Sequence, residues 1–128
     1  MRTIKFRAWW KEGKRMLCPA TPLHTGGITW GDQGYDSNQK DYVVEQFTGL
    51  HDKNGKEIYE GDIIRTAFQS SAWGRKIAAF EKGGFQAVPF GDHETITYPL
   101  YMMIQGHVFD VEVIGNQWEN PELLEASK

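Results

Sequence analysis

The side chains able to do chemistry are scattered along this chain, and their spacing limits what they can do together. Four histidines, His24, His51, His93 and His107, stand far apart in 128 residues, and the single cysteine, Cys18, has no partner cysteine. A structural zinc site usually draws on ligands close in sequence, as in CxxC or HxxxH, and neither pattern occurs. His93 between Asp92 and Glu94 is the densest local group, yet such a triplet on a turn is ordinary for a solvated loop tip. Cys18 would need a base delivered from elsewhere to act as a nucleophile. Between Leu17 and Pro19 it reads instead as a small buried residue. Glu57 and Glu60 could share acid–base work, but Lys53 and Lys56 beside them suit simple surface placement. No GxGxxG or GxxxxGK[ST] run offers backbone N–H groups to a phosphate. The expectation is a chain with no catalytic residue, no cofactor and no metal.

What remains is an aromatic and basic face. Lys5, Arg7, Trp9, Trp10 and Lys11 cluster near the start, and Trp118 stands alone near the end. Rings beside cations can hold single-stranded nucleic acid by stacking and phosphate neutralisation. The same rings can anchor a protein partner or a second copy, because Trp, Tyr and Arg dominate interface hot spots. They can also simply cover the chain's own core. These six residues are the expected binding surface, with a protein or homo-oligomeric partner placed ahead of nucleic acid. An enzyme acting on a small molecule comes last.

Charge and composition narrow the setting. Net charge is −3, which exerts no general pull toward nucleic acid or an anionic membrane. The start is basic, with Arg2, Lys5, Arg7, Lys11, Lys14 and Arg15 against Glu12, and the end is acidic through Asp110, Glu112, Glu119, Glu122 and Glu125. A lone cysteine allows no intrachain disulfide and suits a reducing cytoplasm. No apolar run reaches the ~20 residues of a membrane span, and the first residues lack a signal-peptide core.

The elements that would position these residues read as strands. Thr3 to Trp9 alternates, placing Ile4, Phe6 and Ala8 on one side and Lys5, Arg7 and Trp9 on a wet side. Glu12-Gly13-Lys14 suits a hairpin turn with Arg15 to Cys18 returning, after which Pro19 and Pro22 should interrupt the ladder. His24 to Asp41, with four glycines, reads as a long loop holding at most a short strand at Ile28 to Trp30. Tyr42 to Phe47 is extended. Asp52-Lys53-Asn54-Gly55 is a turn in which Asp binds its own downstream backbone and Asn-Gly takes positive φ, with Lys56 to Tyr59 as the return strand. Glu60-Gly61-Asp62 reverses the chain into Ile63, Ile64, Thr66 and Phe68. Gln69 to Gly74 reads as a loop, and Lys82-Gly83-Gly84 joins strands at Lys76 to Glu81 and Phe85 to Phe90. Gly91 to Glu94 is a turn, and Thr95 to Ile104 is a mixed apolar stretch broken by Pro99. Val108 to Ile114 is a strand with Asp110 and Glu112 on its wet side. Asn120-Pro121-Glu122 then fits the start of a short helical turn, with Asn as its cap. Short strands joined by glycine turns predict an all-β barrel or sandwich in a single domain over residues 1–128.

Three blocks also resemble a known family. Lys5-Phe6-Arg7-Ala8-Trp9, the run from Phe47-Thr48-Gly49-Leu50 through Asp52 to Ile63, and Val113-Ile114-Gly115-Asn116 with Glu119-Asn120-Pro121-Glu122-Leu123-Leu124 are similar to the YopX family of phage and prophage proteins. The chain departs from that pattern at Trp10, His51 and Trp118. The resemblance implies a mainly β protein. Its N-terminal strands and Gly-rich loop would span 1–45, and an SH3-like barrel with the helical turn would span 46–128. It further implies a non-enzymatic accessory protein of phage origin, acting in the bacterial cytoplasm, and it carries over no catalytic residue.

Overall fold

The computed structural model describes residues 3–31, 33–68, 71–90, 96–105 and 109–125, with backbone alone at 68 and 71–73. The expected turn carrying His93, and His107, lie outside them. The fold is mainly β, in two antiparallel sheets with one short helix, as the strand pattern predicts. The chain divides into two compact units, Met1–Phe47 and Thr48–Lys128.

The first unit holds β1 (Phe6–Trp10), β2 (Arg15–Pro22), β3 (Ile28–Trp30), β4 (Gly34–Asp36) and the first part of β5 (Tyr42–His51), in the order β4-β3-β2-β1-β5. The segment expected to be a long loop is therefore mostly a β3–β4 hairpin, followed by a single 3-10 turn at Gln39–Asp41. Its glycines mask the strand signal, but Ile28 is fully buried and anchors β3. The prolines do not end β2 either. Ala8 faces Leu17 and Phe6 faces Ala20, so β2 carries one residue more than β1 and bulges there. A bulge is where a strand tolerates proline, and the Cys18–Pro19 bond at this place is cis. The extra residue puts Cys18 and Pro19 outward together, so Cys18 is exposed rather than buried as expected.

The wet face expected for β1 is also absent. Arg7, Ala8 and Trp9 are all buried, because β1 is an inner strand flanked by β2 and β5 and the sheet curls. Asp36 and Tyr42 sit on strands at opposite ends of the five-strand order, about 19 Å apart on a flat sheet. Yet the Tyr42 hydroxyl donates to Asp36 Oδ2 at 2.9 Å. The connection over residues 37–41 joins those two strands directly, so the sheet rolls around Ala8, Leu17, Ala20, Ile28 and Tyr42, with Trp10, Trp30 and Val44 packed against them.

In the second unit β6 (Glu57–Tyr59) adjoins the end of β5. The other sheet contains β7 (Asp62–Phe68), β8 (Ser71–Glu81), β9 (Gly84–Pro89), β10 (Tyr98–Pro99) and β11 (Phe109–Asn116) in the order β10-β9-β8-β7-β11. β8 starts inside the segment expected to be a loop, and it pairs with β7 through a register shift between Thr66 and Ala67. The β8–β9 turn is as expected: Lys82 at φ 52 and Gly83 at φ 83 take the two positive angles of a tight hairpin. The apolar stretch around Pro99 hides a helix, α1 (Leu100–Gln105), which buries Leu100 and Met103 three residues apart on one face. The core gathers Ile58, Ile64, Ala78, Ala87, Leu100, Met103 and Val111. On β11, Asp110 is exposed while Glu112 pairs with Arg65.

The last block closes as a 3-10 turn at Pro121–Leu124, but the Asn120 side chain does not cap it. Asn120 Oδ1 instead accepts the Asn116 N–H at 3.2 Å, and Asn116 Oδ1 accepts the N–H groups of Trp118 and Glu119. Two asparagines thus hold the chain's return onto β11.

Candidate functional site

The first unit carries an aromatic cleft of about 290 Å³ lined by Trp10, Arg15, Leu17, Trp30, Asp36 and Tyr42. The curl of the sheet brings these residues together from all five strands. Trp10 on β1 stands opposite Arg15 on β2 and Tyr42 on β5. Trp30 on β3 stands opposite Gly34 on β4, and its ring meets that of Tyr42 with centroids 5.6 Å apart at 39°.

Both indoles are seated by glycines. A Cβ at Gly13 would lie 2.0 Å from Trp10 Cε3, and one at Gly34 would lie 2.4 Å from the Trp30 ring and 2.5 Å from the Trp30 carbonyl oxygen. Each ring therefore lies against backbone that only glycine leaves clear. Because the second obstacle is backbone, Gly34→Ala has no inexpensive relaxation. It should lose about 1–3 kcal/mol and shift the tryptophan emission, as urea unfolding followed by fluorescence will read.

Electrostatics in the cleft centre on Asp36. Its carboxyl is held below the usual carboxylate range by the Asn38 N–H and by the Tyr42 hydroxyl. The Tyr42 hydroxyl is pushed up to about 12, first by burial, then by that hydrogen bond and by the charges of Asp36, Asp41 and Glu12. The tyrosine is a neutral donor throughout the physiological range and Asp36 a fixed anion.

The residues expected to form a basic aromatic surface fall in different places. Lys5 lies over the Phe47 ring, 4.9 Å from its centroid. Arg7 is buried, its Nε donating to Glu45 Oε1 at 2.9 Å. Trp9 is buried. Lys11 is exposed and its Nζ donates to the Lys40 carbonyl at 3.0 Å. Only Trp10 lines the cleft. Trp118 belongs to the second unit, half-buried, with its N–H on Asn116 Oδ1. Sequence reasoning missed Trp30, Tyr42 and Asp36. A usable signal existed, since each cleft tryptophan is followed within four residues by the glycine on which it rests.

A second hollow of about 350 Å³ lies in the other unit, lined by His51, Asp52, Lys53, Ile104, Phe109, Asp110 and Val111. Asp52 is committed to backbone N–H groups there. Among the described residues no group of three or more His, Cys, Asp or Glu could hold a metal ion, and no helix is long and apolar enough to cross a membrane.

Two solved structures share this architecture. Protein EF1440 from Enterococcus faecalis is 30% identical with a TM-score of 0.71, over 98% of this chain and 100% of that one. Protein yopX from Bacillus subtilis is 20% identical with a TM-score of 0.64, again over 98% and 100%. No curated protein matches. The family model described as YopX protein matches residues 5–125, and the chain belongs to the YopX family.

Proposed function

We propose that this protein is a non-enzymatic accessory protein of phage or prophage origin, acting in the bacterial cytoplasm as a β-rich module that binds a protein partner or a second copy of itself. The later portion would supply SH3-like character, as the family resemblance implies. The observation that carries the reading is the cleft with two tryptophans held in place over glycine backbone. Interfaces are anchored by tryptophan and tyrosine held in pockets. The buried polar side chains support it from the other side, because they serve the fold. Arg7 meets Glu45, Asp52 and Asp62 accept backbone N–H groups, and Lys76 donates to Thr66. Large apolar side chains also stand more than half exposed, among them Tyr35, Tyr101 and Met102.

Nucleic-acid binding through the first strand has less support. Arg7, its central cation, is enclosed with Glu45, and phosphate binding needs cations within reach of the backbone.

Light scattering over a wide concentration range, with parallel pull-downs by the parent chain and a Trp30→Ser variant, tests the reading. Self-association, or a protein retained by the parent and lost by the variant, is the expected result. A chain that stays monomeric and retains the same proteins in both forms would overturn it.

A further inference from the structure

The cleft has a chemistry more specific than an apolar pocket. Trp10 and Trp30 are half-buried rings in its lining, Tyr42 is a buried ring behind Trp30, and Asp36 adds a carboxylate. Ring faces carry negative charge density, and a cation set over one within about 6 Å is attracted by ~0.5–2 kcal/mol. A carboxylate beside the rings adds a second attraction of the same sign. An anion or the phosphate of a nucleotide meets repulsion from both.

Two details sharpen the point. Asp36 has one hydrogen bond at each oxygen, from the Asn38 N–H and the Tyr42 hydroxyl, and a carboxylate retains acceptor capacity beyond two donors. Asp41 and Glu12 add their negative charge at Tyr42. Working against them is Arg15, which lines the cleft but is exposed and so is screened by water. Lys11, the residue after β1, donates its Nζ to the Lys40 carbonyl.

We propose that the cleft of Trp10, Trp30, Tyr42 and Asp36 receives a cationic side chain, the ammonium of a lysine or the guanidinium of an arginine, presented by the protein partner. This deepens the interaction-module reading and rests on it.

The test is an NMR titration of the full chain, following the tryptophan indole N–H signals. The probes are end-capped Gly-Lys-Gly and Gly-Arg-Gly, with Gly-norleucine-Gly, Gly-Glu-Gly and uridine monophosphate as comparisons. Saturable shifts at Trp10 and Trp30 are expected with the two cationic peptides alone, at the weak, about millimolar affinity of a single side chain. Asp36→Asn, which still offers an acceptor oxygen, should weaken that binding about threefold. Arg15→Gln should strengthen it by a similar factor. Shifts produced by the glutamate peptide or the nucleotide and abolished by Arg15→Gln would overturn the proposal in favour of an anionic ligand. An absence of shifts with every probe would also overturn it. The broader interaction reading would then stand or fall separately on light scattering and the pull-downs.

Discussion

Replacing Glu45 by alanine is expected to remove about 3–5 kcal/mol of stability, a large part of what a domain this size possesses. Glu45 is 3% exposed and Arg7 7% exposed, and Arg7 Nε lies 2.9 Å from Glu45 Oε1. The two residues face one another on adjacent strands, β1 and β5. Taking either charge out of water costs several kcal/mol, and their attraction inside the protein compensates only while both are present. Alanine at 45 takes from the enclosed guanidinium the carboxylate that its Nε binds, so the loss exceeds the value of the pair. Replacing both, as Arg7→Met with Glu45→Leu, removes both desolvation penalties and should return the chain to within about 1 kcal/mol of the parent. Urea unfolding followed by tryptophan fluorescence reads both variants. A single variant as stable as the parent would mean that water reaches the pair.

The same pair shows where legibility in the sequence ends. Alternation in Thr3 to Trp9 identifies a strand correctly, and period two even groups Arg7 with Trp9. It does not reveal whether that side meets water, because the answer depends on β5 and on the curl of the sheet. Turn chemistry is more local and reads better. The turns at Asn54-Gly55 and Lys82-Gly83 are legible because positive φ angles, 84 at Gly55 and 83 at Gly83, fall on glycine. Proline at 19 misled for the opposite reason: a bulge in the paired strand accommodates it, and bulges are made by register between two segments. The cleft was the least legible feature. Its lining comes from five strands, and of that lining only Trp10 belongs to the binding surface expected from the sequence. Glycine clearance beneath an indole depends on one residue type and a short spacing, so that part was there to be read.

Asp52 combines a local role with a distant one, and its loss is the second large effect. Its Oδ1 accepts the N–H groups of Asn54 and Lys56 at 2.8 and 2.9 Å, which is the turn chemistry expected of Asp before Asn-Gly. Its Oδ2 accepts the Val113 N–H at 2.9 Å, from a residue 61 positions away on β11. The turn is thus fastened to the strand, and Lys53 reinforces the joint by donating its N–H to the Val111 carbonyl at 2.9 Å. Asp52→Ala orphans three donors, and charge-assisted bonds of this kind put the loss at about 3 kcal/mol. Asp52→Asn should lie between, since it retains the Oδ1 contacts but turns an amide N–H toward the Val113 donor. The carboxyl also makes stability depend on pH. Burial alone would raise its pKa, but the Val113, Lys56 and Asn54 N–H groups, with the Lys56 charge, outweigh burial and leave it below the ordinary value. A carboxyl depressed on folding contributes fully above its unfolded pKa of about 4 and loses that contribution as pH falls through the folded value. Thermal unfolding of the parent should therefore weaken steeply below about pH 4, whereas Asp52→Asn starts lower at neutral pH and declines less on acidification. Parallel pH profiles for the two proteins would show that the Val113 contact holds no charge-dependent stability.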